Sequence, residues 1–141
     1  VRIATGQIAD KDPAAAAAWL QSLDDTDVTS SVGMVGAHWS RTDPDSALAW
    51  AESLETAGQR DAGVASVIRH WPNDRIGDLE TWATGLTDVK ARDAAARSLA
   101  IRKASMGSET ATQWLDSIED PKLREDTTRI LERYAKRGRQ R

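Results

Sequence analysis

The only two histidines, His38 and His70, stand 32 residues apart, each directly before a tryptophan. Arg102 follows 32 residues further on, directly before Lys103, and Arg133 another 31 on, directly before Tyr134. One basic or protonatable side chain therefore recurs per period. Aligned side by side, such residues form a stripe suited to an anion or an acidic peptide, with pH sensitivity where the histidines contribute. The same residues also suit the amphipathic edge of a helix, where a long stem covers a neighbouring indole. The sequence leaves both readings open. A shared metal is disfavoured by distance. Two imidazoles on one zinc each approach to about 2.1 Å, whereas neighbouring helices in a stack lie about 10 Å apart. Cysteine is absent and no HExxH spacing occurs, so no metal is expected.

A second basic series, Arg60, Arg92 and Arg124, has the same spacing of 32, with Asp61, Asp93 and Glu125 following. These arginines open predicted helices, where the macrodipole alone disfavours a cation. The adjacent acids, or carboxylates of the preceding helix such as Glu52 and Asp116, are expected to offset it. Nucleophilic and phosphate chemistry find no support: G-x-S-x-G, the Walker loop and GxGxxG do not occur. Carboxylates are plentiful, but Asp24-Asp25, Asp43 and Asp45 sit where helix capping explains them. No catalytic residue, no cofactor and no enzymatic activity are expected.

These positions need elements to carry them, and the tryptophans show which. Trp19, Trp50, Trp82 and Trp114 are separated by 31, 32 and 32 residues, and Leu23, Leu54, Leu86 and Ile118 follow each by four. An i, i+4 pair lies on one face of a helix. Trp39 and Trp71 form another series 32 apart, which extends to Ile8, Lys103 and Tyr134. Several series at one period identify an internal repeat. Each unit reads as two helices. The first opens at Asp12-Pro13, at Asp43-Pro44, near Asn73-Asp74 and near Ser108, since Asp or Ser caps and Pro suits the first helical position. Short polar connections such as Asp24-Asp25-Thr26 and Thr87-Asp88 join them. Small residues at Ser31, Gly63 and Ala95, and Gly33 and Gly36 nearby, predict close helix approach. No stretch alternates as a half-buried strand does.

The expected fold is all-α: about four antiparallel helical hairpins in one repeat domain, residues 1–141. The hairpins are expected at about 12–41, 43–72, 74–105 and 107–137. Residues 1–10 are read as the end of a preceding helix and 138–141 as a basic tail. All six tryptophans are assigned to the repeat core. The chain opens at Val1 without a signal-peptide pattern, and a piece of a longer protein is expected.

Composition narrows the partners. Hydrophobic residues at 40% and charged residues at 29% mark a folding chain rather than a disordered one. No apolar run approaches the roughly 20 residues of a membrane span. Net charge is −3, yet residues 133–141 carry +5, which leaves −8 on residues 1–132. An acidic body disfavours nucleic acid. The basic end suits a helix C-terminus or an anionic partner.

The stretches Asp43-Pro44 to Trp50 and Asp12-Pro13 to Trp19 resemble the junction of tetratricopeptide repeats. There an Asp-Pro closes one unit and a Trp-type residue opens the core of the next. The similarity covers nearly the whole chain, with a period of 31–32 rather than the family's 34. The family's Leu-Gly pair and following Tyr are replaced by Trp-x-x-x-Leu, so the chain is similar to a divergent relative or to a separate bacterial α-solenoid. The resemblance implies a right-handed stack of hairpins with a peptide-binding groove and no catalytic residues. The family's carboxylate clamp does not map onto this sequence. The expected role is a protein- or peptide-binding scaffold with an acidic partner. The alternative is a spacer or accessory domain of a larger protein.

Overall fold

The structure, a computed structural model, describes residues 8–9, 11–21 and 29–139. Leu23, the connection Asp24-Asp25-Thr26, Val28, most of residues 1–10 and residues 140–141 of the basic tail lie outside the described residues. Among those described, every regular element is helical. The helices are α1 (Pro13–Gln21), α2 (Thr29–Thr42), α3 (Pro44–Glu52), α4 (Ala57–Arg69), α5 (Ile76–Thr84), α6 (Val89–Ser105), α7 (Ala111–Asp116) and α8 (Pro121–Arg139). None is long and apolar enough to cross a membrane.

Local chemistry explains most of the starts. Asp12 accepts from the Ala15 N–H at 3.1 Å, and Asp43 accepts from the Ser46 N–H at 3.2 Å. Pro13 and Pro44 follow, where no intrahelical donor is needed. Thr56 and Asp88 cap α4 and α6 by bonds to Gln59 and Ala91 at 3.1 and 2.9 Å. Two expected starts are displaced. Asn73 and Asp74 form a single 3₁₀ turn, Asn73–Arg75, and α5 begins at Ile76. The α7 helix begins at Ala111, after a turn in which Ser108 Oγ accepts from the Thr110 N–H at 3.2 Å. The third Asp-Pro, Asp120-Pro121, opens the second helix of its pair, with Asp120 accepting from the Lys122 N–H at 2.9 Å.

The chain divides into two compact units, residues 1–76 and 77–141. In the first unit α2 packs against α1, α3 and α4, and α3 also packs on α4. Val32, Val35, Val67 and Ile68 are fully buried among these helices, with Ala16, Leu20, Ala47, Leu48 and Trp50 beside them in the core. The axes of α2 and α4 meet at small residues. A Cβ built on Gly36 would lie 3.3 Å from the Gly63 carbonyl oxygen, and one on Gly63 would lie 3.1 Å from Ala51 Cβ. The backbones themselves are joined, since Ser40 Oγ donates to the Val67 carbonyl at 3.0 Å and Ser66 Oγ donates to that of Gly33. Gly33, expected to serve close packing through its missing side chain, has nothing within 4 Å of that place. Its contribution is its carbonyl.

In the second unit α6 packs against α7 and α8, which also touch each other. Ala95, Ala96, Leu99 and Ala100 supply its buried face, with Leu79, Ala83, Ala111 and Ile118 from other elements. Five of these eight residues are alanines, whose small side chains allow close helix approach.

Candidate functional site

The repeated arginines are the clearest constellation. The Arg60 guanidinium donates to the carbonyls of Leu54 and Glu55, both at 2.8 Å. Arg124, two periods later, donates through Nε to the Ile118 carbonyl at 2.8 Å, and through Nη2 to the same oxygen. Leu54 and Ile118 lie just past the C-terminal ends of α3 and α7, where helix carbonyls lack intrahelical donors. Each arginine thus ties the end of one helix to the start of the next. The expected carboxylate partners give way here to backbone oxygens, which carry the negative end of the preceding helix. Arg92 differs: it pairs with Glu119 at 2.8 Å.

Asp93, beside Arg92, is only 4% exposed. Its carboxylate accepts from the Glu119 and Asp120 N–H groups at 2.9 and 3.0 Å, which anchors the turn before α8. Charge-assisted bonds of this kind outweigh neutral ones. Its counterpart Asp61 is exposed.

The tryptophans are not equivalent. Trp50 and Trp71 are 7% and 2% exposed, while Trp19, Trp39, Trp82 and Trp114 are half-buried. Trp39 of α2 and Trp50 of α3 stack at a tilt, with ring centroids 5.9 Å apart. Trp71 donates its indole N–H to the Arg75 carbonyl at 2.8 Å, and the Arg75 guanidinium lies 5.6 Å from the ring centre. That guanidinium also grips both carboxylate oxygens of Asp45, at 3.0 and 2.9 Å. The 70–76 connection is therefore fastened to the start of α3. Lys103 stands where Trp39 and Trp71 stand in the earlier pairs, and there the joint turns polar. Lys103 Nζ lies 2.9 Å from Glu80 Oε1 and donates to Thr110 Oγ1 at 3.1 Å. Trp114 Nε1 donates to Glu80 Oε2 at 3.3 Å. One carboxylate thus links α5 to both α6 and α7. Sequence reasoning missed this cluster. Its available signal was a cation inserted into an aromatic series, which requires a carboxylate nearby.

Of the proposed basic series, His38, His70 and Arg102 are half-buried and Arg133 is exposed. His38 and His70 belong to the first unit, Arg102 and Arg133 to the second. His70 Nδ1 lies 2.9 Å from the Ser66 carbonyl oxygen. A carbonyl only accepts, so Nδ1 carries a proton. Burial lowers the Arg102 pKa from its ordinary value, although a guanidinium keeps its charge at any physiological pH. Among the described residues no group of three or more histidines and carboxylates could hold a metal ion.

Comparison of the chain with family models, curated proteins and solved structures finds no match.

Proposed function

We propose that this chain is a protein- or peptide-binding scaffold built from a right-handed α-solenoid of helical hairpins, divergent from tetratricopeptide repeats. Two copies of one joint support the repeat: Arg60 and Arg124 each reach back six residues to the closing carbonyl of the preceding helix. A chain that invests its repeated chemistry in joints keeps its outward positions free to vary, and each helical pair carries one basic or protonatable group of this series on or next to its second helix. His38, His70, Arg102 and Arg133 are all at least partly solvent-accessible. That recurrence is the observation carrying the reading. It favours an acidic segment as ligand, because charge complementarity selects partners and sets register more than it adds raw affinity.

The test is titration of the purified chain with acidic, neutral and basic peptides of matched length, followed calorimetrically. The wild type should prefer the acidic series, and Arg102→Glu should weaken that binding about tenfold, on the scale of a close charge pair. Equal affinity for the three series, or no change in Arg102→Glu, would overturn the basic stripe.

A further inference from the structure

The α2–α4 contact defines a seat on α2 made of Gly33, Gly36 and Ser40. It receives Ser66 Oγ on the Gly33 carbonyl, brings Gly36 against the Gly63 carbonyl, and sends Ser40 Oγ to the Val67 carbonyl. Three periods of 32 further on, the same places on α8 are Arg129, Glu132 and Lys136. All three are exposed, and so are Arg133 and Arg137 beside them. Leu131 is half-buried and lies two residues from both Arg129 and Arg133, on the other side of the helix from them. Where α2 offers small residues to a close-packed neighbour, α8 offers charge.

The helix macrodipole accounts for only part of this. Its influence falls off within the last turn, which covers Lys136 and Arg137 of a helix closing at Arg139. Arg129 and Arg133 lie further back. Arg129 is engaged with Glu125 and Asp126 on its own helix, at 63% side-chain exposure, and such exposed pairs exchange readily for a partner's carboxylates.

We propose that this face of α8 is a docking surface for an acidic helix of a partner protein. The inference rests on the binding-scaffold reading and assigns it a place and a partner. Carboxylates on the incoming helix oppose Arg133, Lys136 and Arg137, and Glu132 selects for a single cation opposite it. Complementary charge with one repulsive element is how helical pairs acquire specificity. The polar surroundings keep the face hydrated when empty, so the docking is reversible.

The probe is a fluorescent, helix-stapled peptide copying residues 43–56, an acidic tryptophan-bearing helix with Asp43, Asp45, Glu52 and Glu55. Anisotropy at low ionic strength should give saturable binding that weakens with added salt. The double variant Lys136→Glu, Arg137→Glu should weaken it about tenfold or more, and Glu132→Gln should tighten it about threefold. Both sites are exposed, and circular dichroism confirms that the variants fold. No saturation up to about 1 mM peptide, or identical binding in the variants, would overturn the proposal. Sensitivity to Arg102→Glu but not to the α8 changes overturns this face and leaves the stripe standing. The reverse pattern supports this face and overturns the stripe.

Discussion

Arg60 and Leu54 are joined by a 2.8 Å hydrogen bond from guanidinium to backbone carbonyl, and Arg124 and Ile118 repeat the relationship at the same six-residue reach. The pairing resolves why a cation opens a helix against the local dipole. The guanidinium's attachment is to carbonyls just past the end of the helix before, whose negative pole offsets the N-terminus it opposes. It also fixes where each connection must turn.

Arg60→Ala should therefore destabilise the chain by about 1–2 kcal/mol, near the lower part of the range for hydrogen bonds to charged groups because the side chain is partly solvated. Arg92→Ala removes an ion pair whose partner Glu119 is 60% exposed and should cost about 0–1 kcal/mol. Urea unfolding of the two variants measures the difference. Equal losses would show that the carbonyl clasp contributes nothing special.

Trp50 is 7% exposed and stacks on Trp39. Replacing it by Ala should cost about 3–5 kcal/mol through lost burial and a residual cavity. Its indole N–H is buried without a hydrogen-bond partner among the described residues, so Trp50→Phe sheds an unpaired donor along with some volume. That variant should cost clearly less than Trp50→Ala in the same denaturation series. A loss below about 1 kcal/mol for Trp50→Ala would place the ring outside the core.

The helices were legible in the sequence because period and capping agreed. Asp43 and Pro44 predicted the start of α3 to the residue, and the spacing of tryptophans located the pairs. What the spacing could not carry was the environment of each copy. Asp61 and Asp93 share a register, yet one is exposed and the other buried on two backbone amides. The difference lies in the neighbouring turn rather than in the residue. The tryptophans likewise share a register within each of their two series, yet split into two buried and four half-buried rings. The basic series was visible as a recurrence, while its surroundings, such as the His70 bond to the Ser66 carbonyl, depended on three-dimensional placement.

The glycines give opposite predictions. Nothing lies within 4 Å of a Cβ on Gly33, so Gly33→Ala should stabilise the chain by about 0.5–1 kcal/mol through reduced backbone entropy. A Cβ on Gly63 meets Ala51 Cβ at 3.1 Å and Leu54 Cδ1 and Val32 Cγ1 at 3.3 Å. Gly63→Val forces α2, α3 and α4 apart and should cost about 1–3 kcal/mol. Thermal melts of both variants check the signs, and a stabilised Gly63→Val would refute the close approach.

Asp43 offers a test in pH. Its carboxyl pKa is lowered, chiefly by the Ser46 hydroxyl, which donates at 2.6 Å, then by the Ser46 N–H, with a smaller attraction from Arg75. A folded pKa below the unfolded one means the unfolded chain binds more protons in the window between them, so stability rises with pH there. The contribution is complete above the ordinary carboxylate range and is lost as the pH falls through the folded value. Asp43→Asn should keep α3 capped, since Asn also accepts from a backbone N–H, but should flatten the acid limb of the melting-temperature profile. The comparison is the fall in Tm between neutral and acidic buffer in the two proteins. An identical fall would show that the Ser46 bonds do not distinguish the charged from the neutral carboxyl.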